Sequence, residues 1–173
     1  AHFHNAAIGG VVFGYLAGLS YWFPKIIGFK LNERLGKCVF AGWFIGFFVA
    51  FMPLYILGLK GMTRRLYHYS EVSWHPYLVV AAIGTAIIAI GILFQVIQLI
   101  EGFINRKKYR DSTGDPWDGR TLEWSIPSPA PFYNFAIIPT VSTRDAFWEM
   151  KKSRNQNGQL QTPVYQDIHM PKN

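Results

Sequence analysis

Cysteine is nearly missing from this chain: Cys38 is the only one in 173 residues. No intrachain disulfide can form, and a cysteine-based zinc or iron–sulfur site is excluded as well. Acid is scarce, with 10 Asp and Glu against 17 Lys and Arg, a formal net charge of +7. Charge of either sign is absent from three long runs, Ala1–Pro24, Cys38–Leu59 and Pro76–Ile100. Each is long enough to cross a hydrocarbon layer of roughly 30 Å as a helix. Intramembrane proton paths normally use ionisable or hydrogen-bonding groups, and these three runs hold no Asp, Glu, Lys or Arg. Thr85, Gln95 and Gln98 are the strongly polar residues of the third run, and they read as packing groups. A basic n-region and a cleavage site are also lacking, and the chain opens at Ala1 inside an apolar run. It reads as a piece of a longer chain.

What remains is an all-α, multi-pass transmembrane helix bundle with spans at about 1–24, 38–59 and 76–100. The 50% hydrophobic content averages two unlike parts, a bundle over residues 1–105 and a polar tail over 106–173. Gly10, Gly14 and Gly18 recur every four residues, and Gly84, Gly91 and the alanines at 81, 82, 86 and 89 crowd the third span. Small residues at helical spacing let helices approach closely in lipid. Pro53 removes a backbone donor and is expected to kink the second span near its end. The tail holds seven of the ten prolines, together with Trp117, Trp124, Phe132, Tyr133, Phe135, Phe147 and Trp148. Such aromatic content argues for an ordered, extended segment to about residue 150, and the composition from Lys151 to Pro163 for a flexible one.

Loop charge orients the spans. Lys25, Lys30, Arg34 and Lys37 follow the first, and Arg106, Lys107, Lys108 and Arg110 follow the third. Two crossings separate the groups, so they share one side, cytoplasmic by the positive-inside rule. The middle loop then faces outward, yet carries Lys60, Arg64 and Arg65, which that rule disfavours.

His2-Phe3-His4 begins the first run. On a helix, residues two apart point about 200° away from each other, so the imidazoles cannot share one ion. They suit two separate centres, and imidazole is a standard axial ligand of haem iron. The alternative leaves both as polar end residues at the bilayer interface. By parity, Arg64 and Arg65 return to the same outer side as these histidines, and Arg is well shaped to pair with haem propionates. A solvated pair binding lipid phosphate is the competing reading. His68, His75 and His169 read as loop or tail residues.

The ordered set His2-Phe3-His4, Trp22-Phe23-Pro24, Leu31-Asn32-Glu33, Phe51-Met52-Pro53 and Leu57-Gly58-Leu59-Lys60-Gly61-Met62-Thr63-Arg64-Arg65 resembles subunit I of the haem–copper terminal oxidases, over essentially the whole chain. Within that family it is similar to the ubiquinol oxidase branch, of the cytochrome bo type. Thr63 stands where cytochrome c oxidases usually have Pro, and Tyr55 where they usually have His. The tail strings Gly114-Asp115-Pro116-Trp117, Arg120-Thr121-Leu122-Glu123-Trp124 and Arg144-Asp145-Ala146-Phe147-Trp148-Glu149-Met150 also look like that branch. Ser128 and Ala130 interrupt the family's proline run near Pro127 to Pro131.

The resemblance implies a C-terminal fragment of the catalytic subunit of a proton-pumping oxidase that takes electrons from ubiquinol and reduces oxygen to water. It implies two haems, with His2 the proximal ligand of the high-spin haem iron where oxygen binds, His4 an axial ligand of the low-spin haem iron, and Arg64 and Arg65 on haem propionates. Copper belongs to the parent protein, with its ligands outside this segment, so the fragment alone is expected to be inactive. The implied partners are other oxidase subunits, ubiquinol, oxygen and membrane lipid, with no nucleic acid, in a bacterial inner membrane with the tail cytoplasmic. Two alternatives stay open: a cytochrome c oxidase of the same fold, and a non-catalytic membrane bundle.

Overall fold

The computed structural model describes residues 1–136 and 138–156, with side chains to residue 153. Among the described residues it is helical, with one isolated bridge, Phe29 to Arg110, and no strand. Three helices have the length and apolarity to cross a membrane. We label them α1 (His2–Ile27), α2 (Glu33–Leu59) and α3 (His75–Ile104), the last led in by a 3-10 turn over Val72–Trp74. A fourth helix, α4 (Ala146–Gln156), lies in the tail.

The helices outrun the uncharged windows at their ends. Lys25 sits in the last turn of α1, Glu33, Arg34 and Lys37 open α2, and Glu101 falls within α3. Terminal turns tolerate charge because long side chains reach the interface and first-turn acids complement the helix dipole. Asn32 caps α2 by accepting from the amides of Arg34 (3.0 Å) and Leu35 (3.4 Å). Both internal prolines, Pro24 and Pro53, lie within continuous helix. His75 is the first residue of α3 rather than a loop residue, and its Nδ1 lies 2.9 Å from the Tyr69 hydroxyl. A histidine there can join the helix because first-turn amides need no intrahelical acceptor.

The chain forms two compact units: Ala1–Leu19 with Asn32–Ile104, and Ser20–Leu31 with the chain from Asn105 onward. In the first, α2 and α3 run antiparallel and cross where side chains are smallest. A Cβ added to Gly42 would lie 2.5 Å from the Cα of Gly91, and one added to Gly46 2.7 Å from the Ile88 amide. Gly84 opposes the backbone of Ala50. Gly42, Gly46 and Ala50 therefore form the α2 stripe, spaced by four. Gly10 and Gly14 of α1, which show the same spacing, meet nothing within 4 Å among the described residues. The polar residues of α3 serve packing. Thr85 Oγ1 donates to the Ala81 carbonyl (3.0 Å), Gln95 Oε1 accepts from the Trp43 indole (3.1 Å), and Gln98 Nε2 donates to the Asn32 carbonyl (2.9 Å).

In the second unit the tail is a folded layer around the last turns of α1. Lys25 is 6% exposed, and its ammonium donates to the carbonyls of Ile126 (2.6 Å), Gly114 (2.7 Å) and Pro127 (3.4 Å). Asp111 shapes one of those acceptors: its Oδ1 accepts from Thr113 N, Thr113 Oγ1 and Gly114 N, an Asx-type turn. Its own amide donates to the Gly28 carbonyl (3.0 Å), where the chain leaves α1 at φ +93°. Trp124, 1% exposed, donates its indole to the Tyr21 hydroxyl (2.9 Å). A buried ammonium is tolerated only when its protons are all partnered, so these carbonyls are what permit Lys25 to be enclosed.

Composition argues for flexibility from Lys151, yet residues 151–156 are helical. Helix α4 runs to Gln156, and Lys151 is paired with Asp115 and with Asp118 (2.8 Å) while donating to the Gly119 carbonyl (2.7 Å). Distant partners in sequence override local polarity there. Residues 157–163, and His169, lie outside the described residues.

Candidate functional site

The site is built at the start of α1 and the end of α2, both in the first unit. Successive contacts set the antiparallel register of these helices: Phe13 on Phe47 and Trp43 (5.3 and 6.2 Å between centroids), Gly9 under Phe47, then His4 on Phe51 (5.2 Å). One turn further along α2, the Tyr55 hydroxyl lies 3.5 Å from Nδ1 of His2. Histidines about 200° apart in one sense are about 160° apart in the other, so a helix lying in that narrower sector can touch both.

The end of α2 then decides where the arginines go. Gly61, at φ +88°, takes the left-handed conformation. Its amide donates to the Gly58 carbonyl (3.1 Å), and that of Met62 donates to the Leu57 carbonyl (3.0 Å). This pair of bonds is a Schellman closure, and it turns the chain back across the helix end. Arg65, itself at φ +62°, sits in a backbone region that non-glycine residues seldom adopt.

The turn creates a concavity of about 490 Å³ whose lining includes His2, Tyr55, Gly58, Met62, Arg64 and Arg65. Leu54 and Leu59 add apolar wall. The structure thus brings His2, Arg64 and Arg65 to one hollow. His4 is not part of its lining and sits against Phe51, half a turn along α1. Arg64 and Arg65 are exposed and make no ion pair among the described residues. Both histidines are exposed too. The one polar contact of the His2 ring among the described residues is the Tyr55 hydroxyl at Nδ1, so Nε2 carries no bond there, and neither do the ring nitrogens of His4.

These features fit a flat apolar group with an anionic edge and a coordinating metal. The walls are apolar, two uncompensated cations stand at the rim, and the imidazoles keep nitrogens available. No three His, Cys, Asp or Glu side chains converge among the described residues, so none of them forms a three-ligand metal cage. His68 lies in the loop after α2, exposed and stacked near Tyr69 (6.4 Å). Sequence reasoning passed over Phe51 as a neighbour of His4 and named Tyr55 only as a branch marker. Their spacing of four residues, one face of a helix, was the available signal.

A family model described as cytochrome C and quinol oxidase polypeptide I matches residues 1–87. A cytochrome bo(3) ubiquinol oxidase subunit 1 from Buchnera aphidicola is 58% identical over the full chain. A probable cytochrome c oxidase subunit 1 from Bradyrhizobium diazoefficiens is 54% identical, and a ubiquinol oxidase subunit 1 from Acetobacter aceti 53%, again over the full chain. The chain spans 26% of the length of each of these relatives. With this match over half its length, and overall identity above one half to these three relatives, the chain belongs to the cytochrome c and quinol oxidase polypeptide I family.

Proposed function

We propose that this chain is part of the catalytic subunit of a proton-pumping terminal oxidase of a bacterial inner membrane, which oxidises ubiquinol and reduces oxygen to water. The observation that carries the proposal is the convergence of His2 with Arg64 and Arg65 on one apolar hollow, with His4 facing a different neighbour beside it. Two haems and a copper supply electron transfer and oxygen reduction when bound. This chain's own contribution is to ligate and orient. His2 would offer Nε2 to the high-spin haem iron, and His4 a ring nitrogen to the low-spin haem iron. Arg64 and Arg65 would pair with haem propionates, because a guanidinium matches a carboxylate in shape and charge. The copper ligands would come from outside this chain, as would the remaining subunits and the quinone site. The positive first loop and the run Arg106 to Arg110 support a cytoplasmic tail.

Ubiquinol is preferred as donor on two residues at the hollow, Tyr55 and Thr63, and on the two relatives named as ubiquinol oxidases. Oxygen uptake by the purified native complex tests this. Ubiquinol should drive it and reduced cytochrome c should not; the reverse would replace the proposal with a cytochrome c oxidase.

Arg64→Ala removes a positive charge from the rim, and positive charge favours the electron-bearing state of a nearby iron. The haem midpoint potential should fall by on the order of tens of millivolts, as expected for one unit charge in a partly screened site. A potentiometric titration superimposable on that of the unmodified oxidase would count against propionate pairing and for a solvated arginine.

A further inference from the structure

We propose that Phe51 is a positioning residue for His4, fixing the plane of its imidazole by stacking where a ligating histidine ordinarily uses a hydrogen bond. The inference rests on the assignment of His4 as an axial haem ligand. A ligating histidine usually donates its second ring N–H to a carboxylate, carbonyl or water, which fixes both tautomer and ring orientation. Neither ring nitrogen of His4 makes such a bond among the described residues. What its ring meets is aromatic: the face of Phe51 at 5.2 Å with 14° between planes, and Phe3 edge-on at 5.5 Å and 86°. The two contacts bound rotation of the ring from two directions.

Phe51 is itself held. It lies in continuous helix, and its ring meets Phe47 at 5.3 Å. Phe47 is 3% exposed and packs against Phe13 of α1 at 5.3 Å. The plane of His4 is therefore tied to the buried α1–α2 contact through two rings rather than through a polar partner.

The arrangement contrasts with His2, whose Nδ1 has the Tyr55 hydroxyl 3.5 Å away. Residues one turn apart on α2 thus hold the two imidazoles by different physics. An imidazole whose ring N–H donates to a partner is both oriented and made a stronger donor to a metal, whereas a stacked one is oriented without added basicity. Position 51 accordingly sets geometry at His4 and leaves its donor strength unraised.

The test is electron paramagnetic resonance of the oxidised full-length oxidase, because low-spin ferric g values depend on the orientation of axial imidazole planes. Phe51→Leu and Phe51→Met fill similar volume and lack a ring, so either should shift or broaden the largest low-spin g value with haem content unchanged. Phe51→Tyr keeps the ring and should reproduce the unmodified spectrum. Leu and Met spectra identical to the unmodified one, with the His4→Ala variant lacking the low-spin signal, would overturn the positioning role and leave the ligand assignment standing. A low-spin signal surviving in His4→Ala would overturn the assignment, and this inference with it.

Discussion

Replacing His4 with Ala in the full-length oxidase should abolish the low-spin haem signal while the carbon-monoxide-binding haem persists. The separation follows from helix geometry. His2 and His4 diverge by about 200°, and they meet different neighbours on α2, Tyr55 and Phe51. Loss of one imidazole need not disturb the other. His2→Ala should give the opposite pattern, with carbon monoxide binding lost and the low-spin signal retained. Reduced-minus-oxidised spectra with and without carbon monoxide read both variants. Unchanged haem content in either would return that histidine to the role of a polar residue at a helix end.

The second large effect is expected at the α2–α3 crossing. Lipid offers helices little hydrophobic reason to associate, so the crossing depends on close backbone approach through small residues. Gly84 has no room for a side chain: an added Cβ would meet the Ala50 amide and lie 2.6 Å from the Ala50 Cα and the Val49 carbonyl carbon. These are backbone atoms and cannot swing aside as a side chain would. Gly84→Leu should therefore cost about 3 kcal/mol or more, at or above the upper end for overpacked sites, and the oxidase should fail to accumulate. Ile83→Val, one residue away on an exposed face, should leave the yield unchanged. Quantifying assembled complex in membranes compares the two. Normal assembly of Gly84→Leu would mean that the helices separate there at little cost.

The three spans were legible because a long apolar run without a single charge suits the interior of a bilayer and is seldom tolerated in water. Their ends were not, since Lys25, Glu33 and Glu101 belong to helix turns that charge also tolerates. Which glycine stripe packs could not be read either. Gly10 and Gly14 repeat as regularly as Gly42 and Gly46, and only the three-dimensional register selects the latter for the α2–α3 crossing. The meeting of His2 with Arg64 and Arg65 followed from counting crossings, a rule that needs no register. Phe51 and Tyr55 needed it, because their roles exist only once α1 and α2 are aligned. The turn at Gly61 was present in the string Leu57 to Arg65, and a glycine just past a helix end could have been read as its closure. Lys151 shows the opposite limit, as its ordering partner Asp115 lies far back in the chain.

Lys25 has a consequence in time. Its carbonyl partners at Gly114 and Ile126 lie 89 and 101 residues downstream. At a synthesis rate of about 5–20 residues per second, they emerge roughly 5–20 s after the lysine does. Until then the ammonium needs water or lipid phosphate around it, and the last turn of α1 must sit where either can reach. The same charge can thus act first as a topological signal during insertion and later as a staple for the tail, two roles separated by the pace of the ribosome.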